Sequence, residues 1–221
     1  MNPAIARQIL LFGIPTGLQM SIISISDMAL QSKINTYSTS LIVGYGVATK
    51  VEFLGWQIAE AVGTAVGTFV GQNVGAGDYK RVRQGVRSAF GIHFICYGIF
   101  CPLVWLFAEP IMGMFTQSAE SVRYGMEYMR IFSFFFLIGG TMCIFHNVLR
   151  ASGDVKMTLA MGMSEVVTRI TFTFLFTRLM GYWGLWWVSP ITWVCAVAIG
   201  AIRYRSGKWE EIARRQAITA Q

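Results

Sequence analysis

Six stretches of this chain are apolar over the length needed to cross a bilayer, and that pattern limits the fold more than any motif does. They run over about 9–34, 41–72, 86–107, 122–148, 157–180 and 184–202. A helix needs roughly 20 mostly apolar residues to traverse the hydrocarbon. The expectation is an all-α integral membrane protein in which residues 1–221 form a single lobe of six transmembrane helices, with a short basic tail over 203–221. The connections are short. A polar turn lies at 35–40, and 108–121 contains Pro110 and predicts a short interfacial helix. A Gly-containing loop follows at 150–156, and an aromatic run at 181–187 reads as a membrane-interface belt.

Composition agrees. Hydrophobic residues make up 54% of the 221 and charged residues only 13%, against about 25% charged in a soluble domain. The formal net charge of +7 does not imply nucleic acid, because the basic residues fall between apolar segments. Arg7, Lys80, Arg81, Arg83, Arg87, Arg150, Lys156, Arg203, Arg205, Lys208, Arg214 and Arg215 map to one side, while Arg123 and Arg178 lie nearest the other. The positive-inside rule then places both termini in the cytoplasm of a multi-pass plasma-membrane protein. Cys96, Cys101, Cys143 and Cys195 lack paired zinc-type spacing. His93 and His146 each stand three residues from a cysteine, which reads as packing rather than as a metal site. No secretory signal is evident, and no cofactor is expected.

Gly63, Gly67, Gly71 and Gly75 recur every four residues, continued backwards by Ala59 and Gly55. Positions four apart share a helix face, and small residues in such a row let another helix lie close in lipid. A phosphate loop would require Lys-Ser/Thr after a strand, and neither is present. Gln72 and Asn73 are placed to close the helix end, with Gly75 and Gly77 allowing a tight turn.

The stretch GTAVGTFVGQNVGAGDYKRVRQGV, residues 63–86, resembles the signature of the multidrug and toxic compound extrusion (MATE) transporters. LFGIPTGLQMSIISIS, residues 11–26, is similar to the first helix of a lobe in that family, and NVLRASGDVKMT, residues 147–158, to the loop-and-arginine motif after the lobe's fourth helix. The resemblance implies twelve helices in two lobes. Residues 30–54 look like the second lobe, so the chain reads as a C-terminal half, either a fragment or a half-sized transporter.

Charged residues inside apolar helices are costly, and persist where they pair or work. Asp27 and Lys50 reach similar depths in the first two helices, which makes them a possible pair; Glu52 neighbours Lys50 but faces elsewhere. Gln31 lies one turn beyond Asp27, and Glu60 lies near the middle of the second helix. Glu165 and Arg169 are spaced i,i+4 for mutual neutralisation, and Arg123, Glu127 and Arg130 form a similar ladder. Some MATE members couple through acids in the first and fourth helices of the second lobe. Asp27 is near the first of those places, while Gly139 or Gly140 occupies the second. Trp56, Trp187 and Trp193, with 12 Met and 16 Phe, supply material for a promiscuous cavity for flat cations, or for lipid-facing and core packing.

The resemblance implies export of small organic, often cationic, compounds against H⁺ or Na⁺, by alternating access with a second six-helix lobe. The rival readings are a lipid-linked precursor flippase, a membrane enzyme built on the histidines and cysteines, and a non-transporting subunit or remnant.

Overall fold

A computed structural model describes residues 3–219, with a continuous run of side chains from Ser21 to Arg215. The side chains of Arg7 and of most of the segment up to Met20 lie outside the described set. The chain is helical, with no strand among the described residues. The elements are α1 (Pro3–Ile34), α2 (Thr39–Gly75), α3 (Tyr79–Leu106), α4 (Ala108–Gly113), α5 (Ala119–Ala151), α6 (Val155–Met180), α7 (Trp183–Arg205) and α8 (Lys208–Thr219).

Local chemistry sets the helix ends. The side chains of Ser38, Asp78 and Ser118 accept hydrogen bonds from the backbone N–H groups of Leu41, Arg81 and Ser121, and so start α2, α3 and α5. Gly77 and Gly153 stop α2 and α5 at φ 74° and 81°, a region that a side chain disfavours. Each is followed by an aspartate. Asp78 caps α3, whereas Asp154 accepts from Arg203 Nε at 2.6 Å and ties the α5–α6 turn to α7.

The six long helices match the six apolar stretches in order. By length and apolarity, α3, α5, α6 and α7 qualify as membrane spans among the described residues. In α2, Lys50, Glu52 and Glu60 fall within three turns and dilute its apolarity. The short α4 stands where the interfacial helix is expected.

The bundle is organised on α5. It packs most extensively along α2, and also against α3 and α7. α6 packs on α7, and α1 lies against α6, with few contacts to α2 among the described residues. The core between them is aromatic: Tyr97, Tyr128, Phe132, Phe136, Trp186 and Trp193 are fully buried. The closest approach of α2 and α5 is at Gly44, where a Cβ would stand 2.5 Å from Ser121 O and 2.9 Å from Gly125 N. Two turns or more along, a Cβ at Gly55 would meet Phe136 at 2.7 Å, and one at Gly63 would meet the Asn147 amide at 2.6 Å.

The glycine row packs over only part of its length. At Gly67 a Cβ would make ordinary contact with Asn147 at 3.4 Å, and around Gly71 and Gly75 there is open space. The expected stripe therefore ends at Gly67, because α5 stops lying alongside. Gln72 is exposed, while Asn73 is buried and donates to Phe69 O at 2.7 Å.

The basic ends of the helices gather at one end of the lobe. Arg83 and Arg214 both reach Glu210, each at 2.8 Å, and Trp209 of α8 stacks on Tyr204. Arg214, by its hydrogen bond, and then Arg83 hold the Glu210 carboxyl below the usual range.

Candidate functional site

α1, α2, α5, α6 and α7 line an open cavity of about 620 Å³. One stripe of α2 supplies Tyr45, Thr49, Glu52, Phe53 and Trp56, spaced as one helix face requires. α1 adds Asp27 and Gln31, α6 adds Glu165 and Arg169, α5 adds Tyr128, and α7 adds Trp193.

Arg169 Nη1 donates to Asp27 Oδ1 across the α1–α6 contact. The pair is lopsided, since the Arg169 side chain is 11% exposed and that of Asp27 54%. Arg169 Nε is buried without a partner. Opposite, the Glu52 carboxylate accepts from Tyr128 Oη at 2.7 Å and from Trp56 Nε1 at 3.3 Å. Tyr45 stacks on Trp186 and packs against Tyr128, while Trp56 meets Trp193 edge-on. Glu165 is held from behind by His146 Nε2 of α5, at 3.0 Å. The lining thus carries three carboxylates, Asp27, Glu52 and Glu165, against one guanidinium, Arg169.

Several sequence expectations are corrected. Asp27 pairs with Arg169 and not with Lys50, because α1 lies on α6 instead of α2; Lys50 is exposed and outside the cavity. Glu165 meets His146 rather than Arg169, one turn away on its own helix. The Arg123–Glu127–Arg130 ladder forms no ion pair: Arg123 lies over the Tyr124 ring and Arg130 over that of Trp105. Glu60 is exposed, accepts from Cys143 Sγ at 3.6 Å, and does not line the cavity. Gln31 does line it, and donates to Asn35 Oδ1 at 2.8 Å. Gly139 and Gly140, at the place of the family's second acid, pack against Trp193 and His93. His93 itself reaches Leu137 O at 2.9 Å and knits α3 to α5.

Glu52, Tyr45 and Tyr128 line the cavity and His146 supports it through Glu165, roles that sequence reasoning missed. The signal for the first two was the helical spacing of Tyr45, Thr49, Glu52 and Trp56, a stripe distinct from the glycine row. Tyr128 and His146 carry no such signal, since their roles depend on how α5 sits against α2 and α6.

The sequence matches the family model described as MatE over residues 15–175. The chain belongs to the MatE family. Among its relatives, a probable multidrug resistance protein, YpnP of Bacillus subtilis (strain 168), is 29% identical over 203 residues, a match covering 91% of this chain and 46% of that protein. The multidrug export protein MepA of Staphylococcus aureus (strain bovine RF122 / ET3-1) is 23% identical over 208 residues, covering 92% and 45%. Two solved structures share the fold with a TM-score of 0.82 at 15% identity, each covering 87% of this chain and 43% of the other. One is a MOP superfamily transporter from Pyrococcus furiosus, and the other a multidrug resistance MATE family transporter in an outward-facing conformation. This MatE chain therefore spans about half the length of the relatives it matches, and it is a multi-pass membrane protein.

Proposed function

We propose that the chain is one six-span lobe of a plasma-membrane exporter of small organic, often cationic, compounds, with both termini in the cytoplasm. Export would run by H⁺ or Na⁺ antiport and alternating access, as this lobe rocks against a second six-helix lobe. The single observation carrying this reading is the cavity lining: three carboxylates against one guanidinium, set among Tyr45, Trp56, Tyr128 and Trp193. Acidic charge and aromatic faces both attract a flat organic cation. The same charge balance weighs against an anionic lipid-linked precursor, which a basic lining would suit.

Asp27 is the coupling residue in this scheme. It is half exposed to the cavity while its partner Arg169 is buried, so an incoming ion reaches the carboxylate directly. A proton or Na⁺ on Asp27 frees Arg169, adds positive charge to the lining and repels a bound cation. For that exchange to drive transport, the two access states must differ in affinity for the ion. Glu52 and the tyrosine–tryptophan wall then hold the substrate.

The test uses the purified chain in detergent or nanodiscs with ethidium as the flat cation, read by tryptophan quenching. Saturable binding that weakens about tenfold in Glu52→Gln, the loss of one charge-assisted contact, is the expected result. No saturable binding, or equal affinity in Glu52→Gln, overturns the assignment of the cavity.

A further inference from the structure

A second cavity lies on the outside of the lobe. It is an apolar groove of about 660 Å³ between α3 and α5, on the side away from the charged cavity. Two antiparallel stripes line it. Phe94, Gly98, Pro102 and Trp105 run along α3 towards its end at Leu106, and Leu137 and Phe134 run along α5 in the same direction. Gly98 has nothing within 4 Å of where a Cβ would sit, so the missing side chain opens the floor. Phe94, Trp105, Leu106 and Phe134 are all exposed large hydrophobics, as expected of a surface that meets acyl chains.

A cation stands beside one end of the groove, over its Trp105. Arg130 continues the α5 stripe one turn beyond Phe134, is exposed, and stacks on Trp105 at 5.2 Å. It forms no ion pair with a described residue. A lipid-facing guanidinium without a counter-ion is costly unless it reaches the headgroup layer or an anion. Trp105 stands one residue from the end of α3, at the end of the lobe opposite the basic loops, where tryptophan marks the membrane interface. The guanidinium is thus held at headgroup height above an acyl-sized groove.

We propose that this groove is a binding site for one anionic phospholipid, its phosphate on Arg130 and one acyl chain along Gly98 and Phe134. The lipid satisfies the charge that the expected Arg123–Glu127–Arg130 ladder leaves unpaired. A guanidinium binds phosphate through two parallel N–H donors, which a zwitterionic headgroup screens with its own ammonium.

The full chain is tested in nanodiscs of equimolar phosphatidylglycerol and phosphatidylcholine with the same chains, and lipid retained after detergent extraction is counted by native mass spectrometry. The wild type retains one phosphatidylglycerol in preference to phosphatidylcholine. Arg130→Gln lowers that preference about tenfold, the size of one charge-assisted hydrogen bond. Gly98→Leu, which has room for its side chain, lowers retention of either lipid, and Arg178→Gln at the end of α6 changes nothing. Equal retention of the two lipids by the wild type, or wild-type retention by Arg130→Gln, overturns the site. Unchanged retention by Gly98→Leu overturns the acyl groove.

Discussion

The α2–α5 seam and the α1–α6 contact use opposite chemistry within one lobe. The seam is closed by missing side chains: Gly44 brings α2 within 2.5 Å of Ser121 O, measured from where a Cβ would lie, and Gly55 and Gly63 admit Phe136 and Asn147. At Gly44 the two backbones are so near that no side chain fits between them. The α1–α6 contact is instead bridged by the long Arg169 side chain reaching Asp27, at the edge of a cavity of about 620 Å³. Close backbone packing gains dispersion contacts that lipid cannot replace, and fixes one geometry. A half-exposed ion pair stabilises little but changes state when an ion arrives. The α2–α5 seam fixes the helix arrangement, and the α1–α6 contact carries the ion pair on which the proposed coupling rests.

Substitutions that exploit this difference separate on one scale, the stability of the purified protein. The largest effect belongs to Gly44→Leu, because Ser121 O and Gly125 N are backbone atoms that cannot turn aside. It should cost about 3 kcal/mol or more and leave little monodisperse protein after size exclusion. Gly63→Leu comes next, at about 1–3 kcal/mol, since its clashes are with the Asn147 and Cys143 side chains, which have other rotamers. Asp27→Asn should cost about 0.5–1 kcal/mol, because water reaches this pair from the Asp27 side. A melting temperature for Asp27→Asn as low as that of Gly44→Leu would break the comparison. Gly71→Leu should change nothing measurable, as no atom lies within 4 Å of its Cβ position; a clear loss would place another helix there.

The sequence carries the long helices and their order because hydropathy and caps are local. Six apolar stretches become α1, α2, α3, α5, α6 and α7, and Ser38, Asp78 and Ser118 mark starts that follow from side-chain chemistry alone. The small-residue face at Gly55, Ala59 and Gly63 is legible from its period of four. Partner choice is not. Asp27 and Lys50 match in depth, yet depth does not say that α1 lies on α6. Glu165 with Arg169 satisfies a local rule, but His146 from α5 is the nearer partner, through a contact 19 residues apart in sequence. Gly44, where the α2 and α5 backbones come nearest, falls outside the four-residue register of the row and shows only once Gly125 is beside it. Local rules read single helices, while the cavity is a property of five helices together.

The central claim is that Asp27 links the ion to the substrate in this cavity. The direct measurement is ethidium affinity as a function of proton and of sodium concentration, for the wild type and for Asp27→Asn, in preparations that are still folded. Wild-type affinity should fall as one of the two ions rises, because protonation or Na⁺ binding at Asp27 cancels its negative charge. Asp27→Asn, whose side chain cannot titrate, should bind with an affinity that this ion no longer changes. The same ion-driven loss of affinity in both proteins would contradict the account.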